Sequence, residues 1–198
     1  MNEIPVDWWD RYHRQATLQE WKDLTFISVR ENLRDIPDYP LAEGYRIRSY
    51  RPGDCTAWVR IWQAASLRGW DWATDETFNN DFGGDLKSMP KRCLFVVTDD
   101  GTEVATTTAW YQRVRGVRWG QVHWFATVPD HQGRGLGKAI LAESLRRMRS
   151  LGHRRAMVGT QLIRLPAIKT YLNLGFVPED PAIRKLLAKY LSHPALTS

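Results

Sequence analysis

Residues 127 to 145 read TVPDHQGRGLGKAILAESL. Gly133, Gly135 and Gly137 alternate with Arg134 and Leu136, and an apolar-periodic segment follows at once. Such a loop leaves backbone N–H groups free at a helix N-terminus, where the dipole adds about half a positive charge. The chemistry it offers is phosphate or pyrophosphate binding. Glycine lets the backbone approach closely, and Arg134 and Lys138 can add charge-assisted contacts at the rim. A Walker A loop needs G-x-x-x-x-G-K-[ST]; Ala139 follows Gly137-Lys138 and Gln132 stands at the leading position, so it fails at both ends. The dinucleotide fingerprint G-x-G-x-x-G fails too, because these glycines are spaced G-x-G-x-G and follow a β-hairpin. The pattern Gln132-x-x-Gly135-x-Gly137 remains.

Other reactive residue types narrow the field further. The five histidines are scattered without ligand spacing, so no metal site is expected. Cys55 and Cys93 form no spaced motif and read as reduced thiols of a cytoplasmic protein. The opening MNEIPVDWWDRYHRQ has neither the basic nor the apolar region of a signal peptide, and no apolar run approaches the ~20 residues of a membrane span. Lys and Arg number 28 against 22 Asp and Glu, and this excess of +6 fits a solvated surface or a phosphorylated small molecule. The basic run from Arg146 to Arg155 lacks the interleaved aromatics of a nucleic-acid site, so no nucleic acid is expected as partner. In RGWDWATDETFNNDFGGD, residues 68 to 85, Trp70 and Trp72 stand among Asp71, Asp75, Glu76, Asp81 and Asp85. That composition suits a cationic or aromatic amine, or equally a capped helix with a solvated acidic face.

These groups need elements to hold them, and 198 residues at 43 % hydrophobic content suffice for one full core. Residues 1 to 44 read as an N-terminal extension with one or two helices packed on the main domain, ending at the Pro- and Gly-marked DIPDYPLAEGY. From Tyr45 the order is a strand (YRIRSY), a turn with Asp54 as N-cap, and a helix carrying Trp58, Ile61, Trp62 and Ala65. A short helix capped at Thr74 comes next, followed by a hairpin turning at Asp99-Asp100-Gly101. A strand (VRWGQVHWFATVP), the helix closed by Gly152, a further strand, a helix from Pro166 to Gly175 and the strand FVPE complete residues 45 to 180. The succession β-α-α-β-β-β-α-β-α-β implies a mixed α/β (α+β) fold with a largely antiparallel central sheet flanked by helices. Residues 181 to 198 add an amphipathic helix whose apolar face, Ile183, Leu186, Leu187, Tyr190 and Leu191, suits a second copy of the chain.

With VPDHQGRGLGKAIL joined to PAIKTYLNLGFVP, the sequence resembles the GNAT superfamily of acetyl-CoA-dependent N-acetyltransferases. VPDHQGRGLGKAIL is similar to that family's acetyl-CoA loop. PAIKTYLNLGFVP is similar to its Tyr-x-x-x-Gly-Phe motif, here Tyr171, Gly175 and Phe176. The resemblance implies transfer of an acetyl group from acetyl-CoA to an amine, with the pyrophosphate held by Gln132, Gly133, Arg134, Gly135, Leu136, Gly137 and Lys138. It implies that the backbone of Phe125, Ala126 and Thr127 clasps the pantetheine arm, and that Tyr171 protonates the departing thiolate. The position of the family's frequent carboxylate base is Gln121, which cannot take a proton. His123, expected on the same strand face as Gln121 and Thr127, is the alternative base. Arg164 stands where many members carry asparagine, and is expected to reach a coenzyme A phosphate or shape the acceptor site. Gln121 also leaves open a non-catalytic acyl-CoA sensor that kept the loop and lost the base.

Overall fold

The computed structural model describes residues 24–65 and 73–197; the first 23 residues of the expected helical extension, and Trp70, Asp71 and Trp72, lie outside them. In chain order the elements are β1 (Thr25–Arg30), β2 (Tyr45–Ser49), α1 (Cys55–Ala65), α2 (Asp75–Phe82), α3 (Met89–Arg92), β3 (Cys93–Thr98), β4 (Glu103–Val114), β5 (Val117–Thr127), α4 (Leu136–Ser150), β6 (Ala156–Gln161), α5 (Leu165–Asn173), β7 (Val177–Pro178) and α6 (Pro181–Leu187). From Tyr45 onward this is the expected mixed α/β succession, with the single turn α3 added. The chain forms two compact units, residues 31–156 and residues 1–30 with 157–198.

In the unit of residues 31–156, β2, β3, β4 and β5 pair as antiparallel neighbours in chain order. Alternation along β3 feeds two cores. Cys93, Phe95 and Val97 pack with Trp58, Ile61, Phe78 and Phe82 of α1 and α2. Leu94 and Val96 pack with Leu136 and Ile140 of α4. The sheet therefore carries helices on both faces. α2 starts as the sequence predicts, with the Thr74 hydroxyl accepting the Thr77 N–H at 3.1 Å. Asp54 behaves differently: its carboxylate takes the Arg48 guanidinium through both oxygens, at 2.6 and 2.9 Å, and the Arg51 N–H. An ion pair with two well-placed donors outcompetes the helix amides for that side chain.

In the unit of residues 1–30 and 157–198, β1 pairs antiparallel with β7, Val29 opposite Val177. The expected helical extension is thus corrected over its described part: Thr25–Arg30 is a strand. Its sequence TFISVR alternates Phe26, Ser28 and Arg30, all buried, with outward residues, the period of a strand and not of a helix. α6 stops at Leu187, short of the expected helix, and Ile183, Leu187 and Leu191 are 8, 0 and 5 % exposed. Those three side chains are covered within the chain itself, while Leu186 and Tyr190 of the same face are half-buried.

Candidate active site

Antiparallel pairing is regular along β4 and β5 until Thr108 meets His123; the next pair is Thr106 with Ala126. Trp124 and Phe125 thus face Thr107 alone, which makes a β-bulge. Trp124 sits at φ 55°, a left-handed backbone that an aromatic L-residue adopts only when its surroundings over-determine it. The surroundings here do so. The Trp124 ring meets Trp58 and Trp62 edge-on, each at 4.7 Å, and its indole N–H donates to Asp81.

The bulge changes which side chains share a face. The extra residue reverses the alternation, so His123 shares its side with Gln121 and Ala126, while Thr127, opposite Ala105, lies on the other. The expectation that Thr127 and His123 point the same way is corrected. Val128 N–H donates to the Val104 carbonyl at 2.9 Å. Hydrogen-bonded pairs alternate in an antiparallel ladder, so Thr127 turns its backbone N–H and C=O away from β4. Its carbonyl accepts the Gln132 side-chain amide at 2.9 Å. Gln132 therefore ties the strand end to the start of the glycine loop.

Gly133 and Gly135 have φ 76° and 78°, and a Cβ on either would meet nothing within 4 Å. Gly135 is the N-cap of α4 without a side-chain cap, whereas α2 and α6 are capped by Thr74 and Asp180. Among the described residues, no backbone carbonyl accepts from the N–H groups of residues 133 to 137, and the helix's own bonds begin with Lys138 N–H donating to the Gly135 carbonyl at 3.1 Å. These unoccupied donors, facing open space at a helix N-terminus, fit a pyrophosphate. Arg134, exposed, touches the Asp130 carbonyl at 3.3 Å, and Lys138 lies 5.5 Å from the Tyr39 ring centroid. Leu136 contributes only backbone, since its side chain is 1 % exposed in the core. Below the loop, the Tyr45 hydroxyl meets His131 Nδ1 at 2.8 Å, a brace between β2 and the turn Pro129–His131 that sequence spacing does not reveal.

Gly137 serves packing. A Cβ there would stand 2.9 Å from the tip of the Phe125 ring, on the strand that α4 covers. Gly137→Val is expected to lower stability by about 1–3 kcal/mol through overpacking. Urea denaturation measures this, and an unchanged midpoint would mean that the Phe125 ring simply turns aside.

His123 has a 26 % exposed side chain, with Nε2 3.8 Å from Asp81 Oδ2 and Phe82 edge-on at 5.6 Å. Burial pushes the imidazole down to about 4, with the Asp81 carboxylate opposing. The ring is neutral at pH 7 and able to accept a proton. Asp81, one of several acidic residues in its segment, becomes distinguishable from the others only through these contacts.

The second unit explains its own motif. Gly175, at φ 77°, donates to Leu172 C=O at 2.9 Å, and Phe176 N–H to Tyr171 C=O at 3.0 Å. This is a Schellman cap with Tyr171 at C3 and Phe176 at C″, whose rings meet at 6.0 Å as that cap's apolar contact. Tyr-x-x-x-Gly-Phe thus fixes where the tyrosine stands on the last turn of α5. Arg30 on β1 also donates to the Leu174 carbonyl there. Tyr171 is 5 % exposed; burial pushes its phenol above the usual range, with Arg164 opposing. Arg164 Nε is engaged by Gln161 Oε1 at 2.8 Å, so it braces the start of α5.

The sequence model of the acetyltransferase (GNAT) family matches residues 54–176, more than half of the chain. The chain belongs to the GNAT family. Among curated relatives of this GNAT chain, mycothiol acetyltransferase from Actinosynnema mirum is 29 % identical over 153 residues, 75 % of this chain and 50 % of that protein. Mycothiol acetyltransferase from Pseudarthrobacter chlorophenolicus is 27 % identical over 193 residues, covering 90 % and 55 %. The chain spans about half the length of the curated relatives it matches. A GCN5-related N-acetyltransferase from Sphaerobacter thermophilus shares the GNAT fold at TM-score 0.62 and 22 % identity, over 78 % of this chain and 48 % of that one. Among the described residues, no helix is long and apolar enough to cross a membrane, and no cluster of side chains suits a metal ion.

Proposed function

We propose that this protein is an acetyl-CoA-dependent N-acetyltransferase acting on a primary amine of a small molecule or a protein. The observation that carries the reading is the uncapped start of α4, where glycines at positive φ leave backbone donors facing open space beside the bulged end of β5. Coenzyme A brings the pyrophosphate that such a helix start favours, and a thioester that an amine can attack. The shared family and the acetyl-transferring relatives support the donor. The acceptor is not taken from those relatives, since the chain spans only half their length.

In this reading Gln132, Gly133, Arg134, Gly135, Gly137 and Lys138, with the backbone of Leu136, bind the pyrophosphate, while Phe125, Ala126 and Thr127 line the pantetheine arm. The Thr127 N–H, turned off the β4 ladder, polarises the thioester carbonyl. The amine nitrogen bonds to the carbonyl carbon and the C–S bond breaks. His123 accepts the proton that the nitrogen sheds, with Asp81 stabilising the imidazolium as it forms, and Tyr171 gives the thiolate its proton. Trp70 and Trp72 are assigned to recognition of the acceptor on their residue types alone.

Acetyl-CoA titrated into the protein, followed by tryptophan fluorescence, is expected to bind saturably, and an amine panel is expected to yield free thiol. Absence of saturable binding overturns the donor assignment. Tight binding with no transfer to any amine favours the acyl-CoA sensor instead.

A further inference from the structure

Two guanidinium groups and an imidazole from separate parts of the unit of residues 31–156 converge on one ring. Arg118 of β5 places its guanidinium carbon 3.8 Å from the Tyr111 centroid. Arg92, at the end of α3, lies 4.8 Å from the same centroid, and the His153 ring stacks on it at 6.5 Å and 20°. A third guanidinium joins by register: Arg113 stands directly opposite Arg118, and strand alternation puts both on the Tyr111 side of the sheet.

No carboxylate among the described residues forms an ion pair with Arg92, Arg113, Arg118 or His153, although eight such pairs join other side chains. Asp85 reaches Arg92 only through its field. Arg92 and His153 are 7 and 6 % exposed, and each keeps a buried nitrogen without a hydrogen-bond partner, Arg92 Nε and His153 Nε2. The Arg92 Nη1 donates to the Ala109 carbonyl at 2.9 Å, which fixes the guanidinium in place. A buried N–H left unsatisfied, as at Arg92 Nε, and like charges directly opposed across a ladder both destabilise a fold. A bound anion would offset both at once.

We propose that Arg92, Arg113, Arg118 and His153, gathered about Tyr111, bind a phosphoryl dianion. Forked guanidinium donors match phosphate oxygens, and several permanent positive charges without acidic partners suit a dianion better than a single carboxylate. The site is separate from the glycine loop. Tyr111 pairs with Gly120, six residues along β4 from Ala105, which pairs with Thr127 beside the loop; that is about 20 Å of strand. His153 reaches the cluster because it follows Gly152 at the C-terminal cap of α4, the end of that helix remote from the loop.

The test is thermal stability of the full chain against inorganic phosphate, with sodium chloride matching ionic strength and an acetate series beside it. Arg118 is exposed, so Arg118→Gln leaves the core intact, and Arg134→Gln in the glycine loop serves as the contrast. Wild type and Arg134→Gln are expected to gain Tm saturably with phosphate, and Arg118→Gln to bind at least about ten-fold more weakly. His153→Gln is expected to weaken phosphate in the same direction. The proposal is overturned if phosphate does no more than chloride, if Arg118→Gln keeps the full response, or if Arg134→Gln loses it equally. Acetate matching phosphate would overturn the dianion. Acetyl-CoA affinity is expected to be the same in Arg118→Gln and wild type, so loss of the phosphate response and loss of acetyl-CoA binding are distinguishable.

Discussion

Tyr171→Phe is expected to lower acetyl transfer at saturating substrates by about 10²-fold or more, while acetyl-CoA affinity stays within about two-fold. The substitution removes only the hydroxyl. The ring that meets Phe176 at 6.0 Å remains, as do the backbone bonds of the Schellman cap, so α5 keeps its last turn. An acid that acts on the leaving group matters only once the C–S bond is breaking; its loss therefore appears in kcat and not in ground-state binding. Burial raises this phenol, with Arg164 opposing, so the proton stays on the oxygen at every pH where the protein is assayed. The alkaline limb of the wild-type profile should accordingly not come from Tyr171. Steady-state rates across an alkaline pH series, with the acetyl-CoA constant from fluorescence, check both statements. Full turnover in the phenylalanine variant would remove Tyr171 from the reaction.

The same tyrosine shows how far the sequence reads. Gly175 was legible as the end of α5 because a helix cap is local chemistry, while Tyr171 and Phe176 were singled out by the resemblance to the GNAT family, and the cap explains why the three go together. Gly133 and Gly135 were legible for the same reason, as a helix start without a side-chain cap. The bulge at Trp124 was not. A tryptophan at positive φ is held by Trp58, Trp62 and Asp81, which are distant in sequence, and no local signal marks it. Counting by twos along VHWFAT therefore put Thr127 on the wrong face. Gly137 was read for close approach of the pyrophosphate alone; that its missing Cβ also makes room for Phe125 had no local signal. The strand Thr25–Arg30 was hidden by the aromatic, charged residues before it, although its own alternation was plain.

His123→Ala is expected to reduce turnover of the amine by about 10²-fold, with acetyl-CoA affinity preserved. Asp81→Asn should cost less, about ten-fold, and the double variant should fall little below His123→Ala, because Asp81 acts through the ring. The electrostatics give this pairing its direction. Burial among Phe82 and Trp124 holds the imidazole at about 4, and Asp81, 3.8 Å from Nε2, is the group that opposes the depression. Removing its charge lowers the ring further, so the asparagine variant is a weaker base. An NMR titration of His123 reads this directly, with a midpoint near 4 in the wild type and a lower one in Asp81→Asn. Stability carries the complementary sign. The folded value lies below the ordinary 6.5, so the unfolded chain binds the proton first, and stability falls as pH drops from about 6.5 toward 4. His153, also pushed down to about 4, by burial and then by Arg92 and Arg118, contributes to the same acid loss. His123→Ala removes its own share only, so its Tm should fall less steeply over that range than that of the wild type. Additive losses from Asp81→Asn and His123→Ala would show that the two act separately and that Asp81 is no partner of the base.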